Sequence, residues 1–105
     1  MGVVALPKTT KNEAIQRVAE IAQNTTGFVY FSDHCEMRMI ERGITRKQVL
    51  RVLRSGTLVG NVEWDTVEEP GWKMKLKRIS AGTEIYAVAK LVERDNECVV
   101  AVTTF

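Results

Sequence analysis

Apolar residues at Ala14, Ile15, Val18, Ala19, Ile21 and Ala22 recur at helical spacing. Thr10-Lys11-Asn12-Glu13 just before them reads as a capping box with Thr10 as N-cap. The turn cluster Asn24-Thr25-Thr26-Gly27 ends this helix near Asn24. Phe28-Val29-Tyr30-Phe31 is aromatic and β-branched and predicts a short strand. Asp33 with Glu36 forms a second capping box, ahead of Cys35, Met37, Met39 and Ile40, and Gly43 closes that helix as a C′ residue. Thr45 with Gln48 forms a third. It opens a helix with Val49, Leu50, Val52 and Leu53 inside and Arg46, Lys47, Arg51 and Arg54 outside, closed by Gly56. The junction Gly43-Ile44-Thr45 leaves no room for a linker, so the two helices form a tight αα corner.

After Gly56 the period shifts towards two, and residues 58–67 predict a strand. Pro70-Gly71 is a turn signal. Trp72-Lys73-Met74-Lys75-Leu76-Lys77 alternates strictly, and Arg78-Ile79 continues the stretch, with Arg78 on the apolar-facing side or at a bulge. Ala81-Gly82-Thr83 turns the chain, and two β-rich apolar runs, 85–92 and 98–105, follow, joined by the hairpin loop Arg94-Asp95-Asn96. The run 98–102 is apolar on both faces, which suits the centre of a sheet under helices. The class is α+β: N-terminal helices (α, short β, αα corner) on one face of a three- to four-stranded antiparallel sheet. The whole of 1–105 reads as a single domain, in which 1–27 is an N-terminal helical extension.

Composition narrows the function. The chain has 15 basic and 13 acidic residues, a net charge of +2, so it is no bulk polycation, and any anion-binding role depends on where the charge sits. Positions 38–54 carry Arg38, Arg42, Arg46, Lys47, Arg51 and Arg54 against one acid, Glu41, and positions 73–78 carry four cations and no acid. No apolar run approaches the roughly 18 residues that span a bilayer. The opening MGVVALPKTTK has no basic n-region for a secretory signal, and Leu6 breaks the myristoylation pattern after Gly2. Two distant cysteines, Cys35 and Cys98, and one histidine give no disulfide scaffold and no metal set, so no metal or other cofactor is expected, in a reducing cytoplasm. Gly-rich phosphate loops, HExxH, CxxC and G-x-S-x-G motifs do not occur.

The candidate chemistry lies in two places. At about 100° per residue, His34, Arg38 and Arg42 fall near 0°, 40° and 80° on one helix, with Glu41 beside them. Cys35 and Met39 flank this stripe on one side and Met37 on the other, a pattern of charges opening into a groove. The helix dipole disfavours an imidazolium at His34 and favours a bound anion, which suits a general base. The plain alternative is that His34 caps or packs and the arginines pair with Glu41, Glu36 or the sheet. In the alternating segment, Lys73, Lys75 and Lys77 project from one face at about 6.6 Å intervals, a row suited to phosphates. There the plain alternative is an exposed sheet face or a lysine-protected edge strand. Trp64 and Trp72 could stack on bases, but core packing or a partner interface is the reading preferred.

The segment His34-x-x-x-Arg38-Met39-x-x-Arg42-Gly43-Ile44-Thr45, with Val49, Leu53 and Gly56, resembles the bacterial family called domain of unknown function 4258. Gly71-Trp72-Lys73-x-Lys75-Leu76, Gly82 and the ending Val102-Thr103-Thr104-Phe105 fit it too, so 28–105 is the family-like core; Cys35 stands where the family pattern has Ala. The arrangement is similar, at the level of the fold, to small RNA-cleaving toxins of the RelE and BrnT type, which an antitoxin holds inactive and which cut RNA with Lys, Arg, His or Tyr residues. The resemblance implies a toxin-like, metal-independent ribonuclease of a bacterial toxin–antitoxin module, with RNA and an antitoxin protein as partners and no membrane. His34 is then base or acid, Arg38 and Arg42 clamp phosphate, Lys75 stabilises charge, and Tyr86 is the candidate for the second proton transfer. Arg46, Lys73, Lys77 and Arg78 are the candidate nucleic-acid contacts. The alternative is a non-catalytic nucleic-acid-binding or protein-interaction domain. The catalytic reading requires the imidazole and both guanidiniums to face the lysine-bearing strand across one cleft.

Overall fold

The computed structural model describes residues 9–95 and 97–104. The readings of the first eight residues, of Asn96 and of Phe105 lie outside the described residues. Three helices, α1 (Lys11–Asn24), α2 (Asp33–Arg42) and α3 (Arg46–Ser55), cover one face of a sheet made of β1 (Val29–Phe31), β2 (Thr57–Asp65), β3 (Gly71–Ser80), β4 (Thr83–Arg94) and β5 (Glu97–Thr104). No helix of the described residues is long and apolar enough to cross a membrane.

Local signals account for the helices. Thr10 accepts from the N–H of Glu13 at 3.3 Å, and α1 buries Ala14, Val18, Ile21 and Ala22, one face of a 3.6-residue period. At α3 the capping box is complete: Gln48 N–H donates to Thr45 Oγ1 at 3.2 Å, and Thr45 N–H to Gln48 Oε1 at 2.9 Å. The cap of α2 is Ser32 and not Asp33, because Ser32, one residue past β1, is still tied to β5. Its N–H donates to Val102 O at 3.1 Å and its hydroxyl to Thr103 O at 3.2 Å, while Oγ accepts from Cys35 N–H at 3.0 Å. Asp33 becomes a first-turn acid instead, where the helix dipole favours negative charge. Gly43 ends α2 in the left-handed region (φ 65°), and Ile44 N–H returns to Met39 O at 2.9 Å.

The strand order is β1-β5-β4-β3-β2. The sheet therefore has five strands and is mixed. β1 pairs in parallel with β5, Val29 opposite Val100 and Phe31 opposite Val102, and the other neighbours are antiparallel. Three residues of β1 cannot stand alone as a strand, and β5, apolar on both faces, is the interior strand that receives them. α3 lies over β3 and β4, α1 packs on α3, and α2 lies over β5. Cys35, Met39, Val49, Val52 and Leu53 from the helices meet Met74, Leu76, Ile85, Ala87, Ala89, Leu91, Val100 and Val102 from the sheet in one core. Met37 and Ile40 point to solvent at 60% and 81% exposure, so α2 buries only its Cys35–Met39 side.

Candidate nucleic-acid interface

Period two divides β3. Met74 and Leu76 go into the helix-side core, so Lys73, Lys75 and Lys77 project from the opposite face, which none of the three described helices covers. Their register partners Lys90, Val88 and Tyr86 share that face, as do Thr57 and Val59 of β2. The Lys75 ammonium lies 4.8 Å from the centroid of the Tyr86 ring, a cation–π contact. Lys73 reaches Asp65 at 3.9 Å and Lys77 reaches Glu84 at 3.5 Å, with the two lysine side chains 52% and 43% exposed. The Lys77–Glu84 pair is exposed on both sides, and such pairs are weak and readily exchanged for another anion.

The other half of this face is closed by a strap, residues 66–70. Lys90, buried in β4, donates to Val67 O and Glu69 O, both at 2.8 Å, and pairs with Asp65 at 3.1 Å. Arg94 grips Glu69 with two bonds of 2.8 and 2.7 Å and stacks over Tyr30 at 5.3 Å. These contacts depress both acids: Asp65 first through the Val67 backbone N–H and then through Lys90, Glu69 first through the Arg94 guanidinium. Val92 and Val99 are buried although they face away from the helices, and Val92 lines a cavity together with Glu68 and Glu69 of the strap.

The predicted site residues separate into groups. Lys73, Lys75, Lys77 and Tyr86 come together on the open sheet face. His34, Arg38 and Arg42 share one side of α2, across the sheet from the lysines, with His34 and Arg42 exposed and Arg38 half-buried. The exposure of Met37 removes the second wall of the groove predicted around them. Among the described residues, cavities of about 440, 320, 260 and 210 Å³ form, and none of these is lined by His34, Arg38 or Arg42. The single cleft that would join imidazole, guanidiniums and lysines is therefore not formed, because helices and lysines occupy opposite faces of one sheet. Arg46 lies beside α2, bonded to Glu36 at 2.8 Å and stacked 4.8 Å over Phe31. Arg78 falls on the helix side of β3 and donates to Ser55 Oγ. Cys35 is fully buried, and burial, reinforced by Glu36, pushes its thiol up to about 11. Trp64 and Trp72 meet edge to face at 5.1 Å, and the Trp72 indole donates to Thr9 O at 2.7 Å.

Two features escaped the sequence reading. One is Lys90, whose signal was a lone cation inside the apolar run 85–92: such a lysine has to find buried acceptors. The other is the cavity at the far end of β3, lined by Ser55, Thr57, Lys77, Arg78, Ile79 and Glu84, which no local pattern marks.

No curated protein and no solved structure matches the chain. One family model does, that of the domain of unknown function DUF4258, over residues 31–105, which run from the end of β1 through α2, α3 and the lysine-bearing strand. With most of its length matched, the chain belongs to the DUF4258 family.

Proposed function

We propose that the protein binds single-stranded RNA along the face of its sheet opposite α1, α2 and α3. The observation that carries this reading is the row Lys73, Lys75, Lys77 beside Tyr86 on a surface left uncovered by the helices. Spaced cations neutralise successive phosphates, and an aromatic ring offers a sequence-tolerant stacking platform. The test is fluorescence anisotropy of a short labelled single-stranded RNA over a salt series. Each phosphate neutralised on a single strand contributes about −0.7 to the slope of log K against log salt, so removing three contacts reduces the slope by about 2. The triple variant Lys73→Gln/Lys75→Gln/Lys77→Gln is expected to lose that amount, and His34→Ala/Arg38→Ala to keep the wild-type slope. A triple variant with an unchanged slope, or a wild type that does not bind, ends the proposal.

A second reading, metal-independent RNA cleavage in the manner of RelE- and BrnT-type toxins, draws support from the contact of Lys75 with Tyr86. The 2′-hydroxyl is the nucleophile. In this reading one of the two groups takes its proton, the other protonates the leaving 5′-oxygen, and the flanking lysines hold the phosphorane. An acidic antitoxin segment would then block the lysine row. Time courses on defined RNA test it. Lys75→Ala and Tyr86→Phe are each expected to slow cleavage about 10²-fold or more. Absence of product from the wild type rejects catalysis and leaves binding standing, and cleavage by both variants at its rate removes Lys75 and Tyr86 from the chemistry.

A further inference from the structure

The cavity at the Lys77 end of the row has a volume of about 260 Å³ and opens to solvent. It gathers three consecutive residues of β3, Lys77, Arg78 and Ile79, although alternation sends them to opposite faces. The site therefore wraps the end of the sheet, where α3 hands over to β2. Gly56 makes that approach possible. A Cβ there would overlap Val52 O and come within 2.9 Å of Lys77 O, so only glycine lets the chain pass this close. Ser55 and Thr57, on either side of it, are thereby held against β3. Thr57 is paired with Lys77 in the register, and Ser55 Oγ accepts from Arg78 while donating to Arg51 O at 3.0 Å.

We propose that this cavity is a ribonucleotide subsite that continues the lysine row: phosphate on Lys77 and Arg78, a ribose hydroxyl on Glu84, the base against Ile79. The proposal rests on the reading of the open sheet face as an RNA surface. Its chemistry is set by Glu84. A site for a bare anion has no use for a carboxylate 3.5 Å from its lysine, because that carboxylate repels the ligand. A ribose supplies the hydroxyl donors that a carboxylate accepts, and the 2′-hydroxyl is the group that distinguishes RNA from DNA. Arg78 contributes a guanidinium oriented by Ser55, with five N–H donors in a fixed fork. Ile79, 69% exposed, gives an apolar surface for a base.

The test compares a short single-stranded RNA with DNA of the same sequence by anisotropy, using the full chain and the variants Glu84→Ala and Arg78→Ala. Wild type is expected to prefer RNA about tenfold, the scale of one hydrogen bond to a charged group. Glu84→Ala should tighten DNA binding by relieving repulsion and bring the RNA-to-DNA ratio close to one. Arg78→Ala should weaken both ligands by a similar factor. If wild type binds both but shows no RNA preference, or if Glu84→Ala keeps the preference, the subsite is overturned while the sheet-face reading stands. If wild type binds neither, both fall together. Thermal melting of each variant checks that the exposed substitutions leave the fold intact.

Discussion

Lys90→Met tests the strap most directly. The side chain of Lys90 is 10% exposed, and its ammonium serves three acceptors: Val67 O, Glu69 O and the Asp65 carboxylate. Methionine keeps the apolar stem but supplies no donor. Two carbonyls then lose charge-assisted bonds, each worth about 1.5–3 kcal/mol, partly recovered by water reaching the loosened strap. A net loss of about 3 kcal/mol is expected, in line with the cost of removing one partner from a buried pair. Against a total stability of about 5–15 kcal/mol for a domain, this is a large fraction. Urea unfolding followed by tryptophan fluorescence measures it, because Trp64 and Trp72 sit at the β2–β3 hairpin that the strap closes. The slope with denaturant should stay the same if only stability changes. Limited proteolysis supplies an independent reading, with cleavage between Thr66 and Glu69 expected to accelerate. A loss below about 1 kcal/mol, the scale of an ordinary neutral hydrogen bond, together with unchanged proteolysis, would show that Lys90 does not hold the strap.

Three other outcomes follow from the same contacts. Gly56→Ala should destabilise the fold by about 1–3 kcal/mol, the usual cost of forcing an extra carbon into a packed site, measured by thermal or urea unfolding; a neutral result would contradict the close approach to Val52 and Lys77. Asp65 and Glu69 both have folded-state values below their unfolded ones, so their contribution is present above the unfolded range near pH 4 and disappears as pH falls through the lower folded values. The melting midpoint should drop on acidification through that window, and Glu69→Gln should flatten the drop. For the thiols, Cys98 should react with a disulfide reagent at mildly alkaline pH while Cys35, buried and shifted to about 11, reacts only as the chain unfolds; two fast thiols would refute this.

Signals confined to one turn were legible from the residues alone. Thr45 with Gln48, Gly43 and Thr10 mark helix ends through contacts three or four residues apart, and the alternation from Trp72 to Lys77 divides β3 correctly between core and solvent. The same alternation also bears on the imagined cleft. If Met74 and Leu76 face the helices, the lysines cannot, and α2 lies on the helix side. The stripe on α2 was placed correctly in angle, but its surroundings depend on which flank meets β5, and only Cys35 and Met39 do. Pairings between distant segments carried no local mark. The three residues of β1 are too few for a pattern, and the strap after Asp65 reads as a turn until Lys90 is seen beneath it. Family membership, legible in the segment from His34 to Gly56, is borne out over 31–105.

The parallel pairing of β1 with β5 has a consequence for how the protein is made. Ser32 and Thr103 are 71 residues apart and hydrogen-bonded, so the loop between them closes at an entropic cost of about 4 kcal/mol. During translation, α2 emerges from the ribosome long before Val100 and Val102, the strand residues it needs beneath it. Until β5 arrives, Cys35 and Met39 have no dry surface to rest on. The nascent chain should therefore leave this part unfolded until β5 has been made and acquire its tertiary structure only then, with chaperones the natural guardians of the interval.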